Sequence, residues 1–395
     1  MKTKQNYNST ITASCFASMT QAVVNNLAPL LFLIFQKEFG LSLGQITTLT
    51  TVNFAIQLTV DALSVKFVDK IGYRASIVLA HVTAAVGLLG MTAFPFLFSN
   101  GFIGLLVAAV FYAVGGGLIE VVVSPIVEAC PSEHKESVMS FMHSFYSWGS
   151  VAVIVLSSAF LAVFGKSAWR ILPILWAILP IANGIVFTRV PINRLTEEGE
   201  EMSLGALFKN KMFWLFMVIM VGAGASELGM SQWASAFAES ALHVDKMVGD
   251  LLGPCFFAIM MGIARVLYAK IGPKVDLRYF LTGSAILCVF AYLLSAFVQN
   301  PIIAFLGCGI CGFSVGVMWP GTYSLAAKRL PKGGTAMFAL LALGGDMGCT
   351  SGPTAIGWLS EFLGGDLKKG LAFAAIFPFI LLLGSLFLLI GKKKQ

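Results

Sequence analysis

The sequence predicts an all-α membrane protein: twelve transmembrane helices in two pseudo-symmetric six-helix bundles. Three observations predict it. The chain of 395 residues is 57% hydrophobic and only 11% charged, against about 25% charged in soluble domains. Apolar runs of the length needed to cross a bilayer, about 20 residues, recur twelve times, at residues 10–36, 45–68, 75–95, 101–128, 138–164, 169–189, 211–238, 247–270, 277–297, 301–328, 335–363 and 369–391. The longest polar stretch, RVPINRLTEEGEEMSLGALFKNK from Arg189 to Lys211, falls between the sixth and seventh runs. The expected organisation is a six-helix bundle over 1–189, a cytoplasmic linker over 190–211 and a second bundle over 212–395. Helices rather than strands are expected because backbone polar groups in lipid must be satisfied within the segment or in a closed barrel, and these runs lack a barrel's alternation.

Orientation follows from lysine and arginine. With the N-terminus placed inside, all of the 26 basic residues except Lys37, Lys166, Arg170, Lys246, Lys368 and Lys369 fall on the inner side. Lys2 and Lys4 open that series, and Lys392, Lys393 and Lys394 close it. This bias puts both termini in the cytoplasm. The formal charge of +7 then reflects topology and anionic headgroups, with no nucleic-acid partner. The seven cysteines lie within or at the ends of apolar runs; Cys308 and Cys311 form a CxxC without a second pair or a histidine nearby and read as packing residues. No cleavable signal is expected, since the first run is long, follows a polar tail and carries Asn25 and Asn26.

Taken in order, the first run reads TQAVVNNLAPLLFLIFQKEFGLS, and Asn25 and Asn26 before Pro29 place amides in the membrane interior, where polar groups line a cavity. The second run carries Asp61 and leads into DKIGYR, with Asp69, Lys70, Gly72 and Arg74 in a tight charged turn. His81 in the third run reads as a packing residue. The fourth run, GGGLIEVVVSPIVEACP, puts Glu120 at bilayer depth, where a charge costs about 3 kcal/mol on insertion scales and marks function by default. Ser124 follows one turn later on the same face. The fifth run adds His143, Tyr146 and Ser147, spaced to share a face. In the sixth, Trp169 and Trp176 read as interface anchors and Pro173 and Pro180 as kinks. SLGALF in the linker reads as a short amphipathic piece on the membrane surface.

The seventh run, MFWLFMVIMVGAGASELGMSQWASAFAES, carries Glu227 with Ser231 on its face. Gln232 and Trp233 point elsewhere on an ideal helix, but Gly222, Gly224 and Gly229 argue against an ideal one. Arg265 in the eighth run faces a cytoplasmic vestibule or pairs with an acid. In the tenth, Trp319 and Tyr323 are one turn apart and form an aromatic wall. The eleventh sets Asp346 among glycines, where helices can approach closely.

A shift of 200 residues aligns Gly116 with Gly316 and Pro131 with Pro331, and a shift of about 202 pairs Asn25 with Glu227. Parallel six-helix repeats holding a solute near mid-membrane are the plan of major facilitator transporters. It makes the first, fourth, seventh and tenth helices the expected cavity wall. DKIGYR resembles the loop signature of that superfamily, with Val65 in place of the signature's leading glycine. The resemblance implies a cytoplasmic latch made by Asp69, Lys70, Gly72 and Arg74.

Within the superfamily, NNLAPLLFLIFQKEFGLS, GGGLIEVVVSPIV, GASELGMSQW and GVMWPGTYSLAA resemble the first, fourth, seventh and tenth helices of the fucose–galactose–glucose:proton symporter family. The resemblance implies a secondary transporter that moves a monosaccharide by alternating access, driven by protons through Glu120. It implies solute contacts at Glu120 and at the Asn25 and Asn26 pair; residue type and placement in the runs add Ser124, His143, Tyr146, Glu227, Gln232, Trp233, Trp319 and Tyr323 to the expected contacts. The family's asparagine–aspartate step after the first-helix pair is here Ala28 and Pro29. Either Glu120 therefore couples alone, or Glu227 or Asp346 takes over, or protons do not drive transport.

The rival readings are a drug or metabolite exporter, to which TSGPTAIG in the eleventh run has some likeness, and an uncoupled uniporter. An organic-anion carrier is disfavoured because no Lys or Arg stands mid-membrane in the cavity-wall helices. A membrane enzyme or sensor is the reading from another class; short loops leave no soluble catalytic or signalling domain. The expectation is a monomer that is not an enzyme, holds no metal or cofactor, and takes the proton as coupling ion.

Overall fold

The computed structural model describes residues 7–196, 200–244, 246–364 and 367–390. Lys2, Lys4, Glu197, Glu198, Lys392, Lys393, Lys394 and the side chain of Lys246, used above for orientation and the linker, lie outside the described residues. Among those described, all regular structure is helical. The first six apolar runs form α1 (Asn8–Phe39), α2 (Leu43–Ile71), α3 (Tyr73–Leu97), α4 (Gly101–Glu128), α5 (Lys135–Phe164) and α6 (Ile171–Phe187). The linker contains α7 (Leu204–Lys209). The seventh run is broken into α8 (Lys211–Ser231) and α9 (Ala234–Leu242), and α10 (Lys246–Ile271) and α11 (Leu277–Phe297) follow. The tenth run is broken into α12 (Pro301–Val315) and α13 (Met318–Arg329); α14 (Gly334–Phe362) is continuous, and the twelfth run divides into α15 (Leu367–Ala374) and α16 (Ile376–Ile390).

Ten of these stretches are long and apolar enough to cross a membrane. The other two, α2 and α14, have the length but carry polar residues within it: Asn53, Gln57 and Asp61 in one, Asp346, Thr350, Ser351 and Thr354 in the other.

The sequence sets the helix ends through local chemistry. Ser42 accepts from the Gln45 amide N–H while its own N–H donates to Gln45 Oε1, so both orphan donors at the start of α2 are satisfied. Asn100, Asn210, Asp276 and Asn300 cap α4, α8, α11 and α12. Gly72, at φ 83°, makes the turn between α2 and α3 in a region closed to most side chains.

Contacts group the chain into two compact units, Met1–Pro131 with Phe145–Leu195, and Ser132–Ser144 with Thr196–Gln395. In the first, α3 packs on α4 through small residues: a Cβ on Gly115 would stand 2.7 Å from the Ala80 carbonyl oxygen. Without a hydrophobic drive between helices in lipid, such close backbone approach supplies the attraction. Trp169, expected at the membrane interface, is wholly buried instead. It packs edge-on against Phe35 and donates to Glu38, which also pairs with Arg170 at 2.6 Å. An indole with an acid at donor distance is satisfied inside the protein and has no need of the headgroup layer. His81 behaves as a packing residue: Nδ1 donates to the Ile77 carbonyl at 2.7 Å and Nε2 accepts from Asn183 at 2.9 Å.

In the second unit α14 lies against α8 at backbone distance, where a Cβ on Gly224 would collide with the Gly345 carbonyl oxygen. The cysteines Cys288 and Cys311 are buried with sulfurs 3.8 Å apart and unbridged.

Candidate functional site

The glycine run of α4 explains why polar groups converge in the first unit. A Cβ on Gly117 would stand 3.2 Å from Gln57 Cα, and one on Gly116 would stand 3.0 Å from Val24. With hydrogens in place of side chains, α4 comes close to both α1 and α2. Glu120, one turn further along α4, is half-buried, and Gln21 of α1 donates its Nε2–H to Oε2 at 2.5 Å. The acid thus meets an amide donor on the neighbouring helix.

Beside this pair stands a network of carboxamides. Asn25 Oδ1 accepts from Gln57 Nε2 at 3.0 Å and from Asn53 Nδ2 at 3.5 Å, while Asn25 Nδ2 faces the Tyr146 hydroxyl at 3.5 Å. Asn26 donates to the Ala22 carbonyl at 2.8 Å and to the Ser150 hydroxyl at 3.2 Å. Ser124, one turn beyond Glu120, is buried. Of the residues expected from the sequence, Asn25, Asn26 and Tyr146 join one constellation. Gln21, Asn53, Gln57 and Ser150 were missed. Their signal was present: Gln21 with Asn25, and Asn53 with Gln57, are amides four apart in apolar runs, a spacing that puts each pair on one helix face.

The charged turn has a structural partner as well. Arg74 donates from Nη1 to the Phe187 carbonyl at 2.6 Å and from Nη2 to the Val190 carbonyl at 2.8 Å, and so caps the end of α6.

A second constellation lies in the second unit, which includes the first turns of α5 up to Ser144. Arg265 on α10 is buried; Nε donates to the Gly316 carbonyl at 2.7 Å and Nη1 to the His143 carbonyl at 2.9 Å. The guanidinium thereby satisfies an acceptor at the break between α12 and α13. Ser140 donates to the Arg265 carbonyl at 2.8 Å. The sequence left Arg265 facing a vestibule or an acid; two of its N–H groups go to carbonyls, and it stands in electrostatic range of Glu227. The His143 ring stacks on Tyr323 with centroids 6.0 Å apart, and Tyr323 meets Trp319 edge-on at 6.3 Å and Phe338 at 5.2 Å. His143 and Tyr146, expected to share a face, thus enter separate constellations.

In the same unit, Glu227 Oε2, Trp233 Nε1 and Trp319 Nε1 are buried without a protein hydrogen-bond partner. Gln232 is exposed where α8 stops, and Asp346 is half-buried on α14. Among the described residues no group of three histidines, cysteines or acids is placed to hold a metal ion.

The first constellation consists of amides, hydroxyls and an acid, the second of a buried arginine, an acid and aromatics, all set within membrane-length stretches, and the comparisons with known proteins agree. The Major Facilitator Superfamily profile matches residues 10–345. The chain belongs to the major facilitator superfamily. It is a multi-pass membrane transporter and not an enzyme. No curated protein sequence matches this transporter significantly. Among solved structures, it is similar to a variant of the Escherichia coli fucose:proton symporter FucP, at a TM-score of 0.82 and 14% identity over 97% of this chain and 99% of that one. FucP in its outward conformation gives 0.78 and 15%, over 95% and 98% of the two chains. The proton:xylose symporter XylE, bound to 6-bromo-6-deoxy-D-glucose, gives 0.81 and 13%, over 97% and 95%. These likenesses concern the fold.

Proposed function

We propose that this transporter is a proton-coupled monosaccharide symporter working by alternating access across a cell inner membrane, with both termini cytoplasmic. The observation that carries the reading is the Glu120 carboxylate held by Gln21 beside the amides of Asn25 and Asn26. Sugar hydroxyls both donate and accept, and a cluster of amides, hydroxyls and one acid offers both roles. The solved structures of similar fold include symporters of fucose and xylose, which supports the same substrate class here.

Glu120 serves as coupling acid. As a carboxylate it takes the Gln21 donor; once protonated it becomes a donor itself, so the hydrogen bonds offered to a solute change with proton binding. A solute that prefers one of these two states is linked to the proton by that difference in affinity. Glu227 and Asp346 are the further acids available to such coupling, and Ser124, Tyr146 and Ser150 extend the polar wall. In the second unit Trp319, Tyr323 and His143 offer aromatic faces for the C–H side of a pyranose, and the orphaned donors of Trp233 and Trp319 suit its hydroxyls. Asp69, Lys70, Gly72 and Arg74 form the cytoplasmic latch. The working organisation is a bundle over 1–189, a linker over 190–211 and a bundle over 212–395, acting as a monomer without metal or organic cofactor.

Counterflow in liposomes tests the carrier and its substrate together. Vesicles preloaded with unlabelled fucose, xylose or glucose should transiently accumulate the same labelled sugar. Absence of counterflow for every monosaccharide would overturn the sugar assignment.

A further inference from the structure

We propose that Gln57 of α2 is a positioning residue for solute recognition: it holds Asn25 with its carbonyl occupied, so that the Asn25 amide N–H groups face the solute and select an acceptor oxygen. This deepens the sugar-transport reading and rests on it. Gln57 is 1% exposed and Asn53 is 6% exposed, and both stand mid-way along α2, on the helix side that also carries the buried Asp61. Burying two carboxamides there is costly unless each is hydrogen-bonded. Both send their N–H groups to the same atom, Asn25 Oδ1, at 3.0 and 3.5 Å.

The consequence is directional. Turning the Asn25 amide over by itself would set its NH₂ against the NH₂ groups of Gln57 and Asn53, donor against donor. With Oδ1 taken by Gln57 at 3.0 Å, Nδ2 is what Asn25 has left to offer, and its contact with the Tyr146 hydroxyl is long at 3.5 Å, as is the one from Asn53 to Oδ1. A second observation points to a ligand: Asn53 Oδ1 is buried with no protein partner, an acceptor waiting for a donor. Asn25 and Asn53 together thus present one donor and one acceptor, the complement of a sugar hydroxyl. The close approach of Gly116 and Gly117 to Gln57 confines the side chain that sets this polarity.

The test combines solute binding with a reading that needs no solute. Equilibrium binding of radiolabelled fucose, xylose and glucose is measured on purified native protein, Gln57→Leu, Asn25→Ala and the double variant, each with its Tm and elution profile. If Gln57 acts through Asn25, Gln57→Leu weakens binding of the preferred sugar about tenfold, and adds nothing further in the Asn25→Ala background. Gln57→Glu replaces the donor with an acceptor and weakens binding as much, whereas a merely space-filling role would leave that variant unchanged.

In parallel, the Asn25 carbonyl stretch is isolated by infrared spectroscopy as the ¹³C-asparagine difference between native and Asn25→Ala protein. It moves to higher frequency in Gln57→Leu without any sugar present. No shift, or additive losses in the double variant, overturns the proposal. A shift with unchanged binding overturns its link to the solute. A shift in Gln57→Leu, with native protein that binds none of the three sugars, retains the Asn25 geometry but rejects the sugar reading.

Discussion

Gln21 on α1 donates to Glu120 on α4 at 2.5 Å, joining an amide and an acid ninety-nine positions apart in the chain. A hydrogen bond to a charged group is worth about 1.5–3 kcal/mol. Gln21→Leu should therefore lower the stability of the purified protein by about 1–3 kcal/mol, read as a drop in Tm in detergent. The double variant Gln21→Leu/Glu120→Leu should lose less than the sum of the two singles, because the acid then no longer stands without its donor. Strict additivity would show that the contact carries no energy.

Arg265 makes a different kind of prediction. Its guanidinium reaches two carbonyls, Gly316 and His143, in fixed fork geometry. Arg265→Met leaves both acceptors buried without that donor and should cost about 2–4 kcal/mol. Arg265→Lys should not restore the loss, since one ammonium on a flexible stem does not reproduce the planar fork. Thermal unfolding of the three proteins decides it, and full rescue by lysine would contradict the account.

Close helix approach predicts a contrast between glycines. A Cβ on Gly224 would collide with the Gly345 carbonyl oxygen, whereas one on Gly205 would meet nothing within 4 Å. Gly224→Ala should force α8 and α14 apart at a cost of about 1–3 kcal/mol or more and reduce the folded yield. Gly205→Ala on α7 should match or slightly exceed the native stability. Equal yields for the two variants would argue against the packing described for α8 and α14.

The turn at Gly72 predicts a local strain penalty. At φ 83° the backbone occupies a region that L residues avoid, although a Cβ added there would have no atom within 4 Å. Gly72→Ala should destabilise by about 1–2 kcal/mol through conformation alone. An unchanged Tm would mean that the turn relaxes freely.

The helices were legible in the sequence because their signal is composition over about 20 residues, which tertiary packing does not alter. The breaks were only half legible. Three glycines hinted that the seventh run would not stay regular, and it stops at Ser231 before Gln232 and Trp233. The tenth run carried its own unread warning in Gly312, Gly316 and Pro320, since a proline cannot donate to the carbonyl four residues back; α12 ends at Val315, and Arg265 takes the Gly316 carbonyl. That contact joins residues fifty-one positions apart, beyond the reach of local spacing.

In the site, Glu120 and Asn25 were visible because charge and paired amides are conspicuous in an apolar run. Gln57 went unread although Asn53 stands four residues before it, since that spacing puts two amides on one helix face without saying whether the face meets lipid, a neighbour or a cavity. Trp169 shows the converse: an aromatic near a helix end reads as an interface anchor until the partner, Glu38, is seen.

The most direct measurement of the central claim is uptake of radiolabelled monosaccharides into proteoliposomes, with and without an inward proton gradient, for native protein and Glu120→Gln. The account predicts that a gradient accumulates one sugar in the native protein, and that Glu120→Gln still exchanges that sugar but no longer accumulates it. Gradient-driven accumulation that survives in Glu120→Gln would contradict the role given to Glu120, and no movement of any sugar would contradict the substrate class.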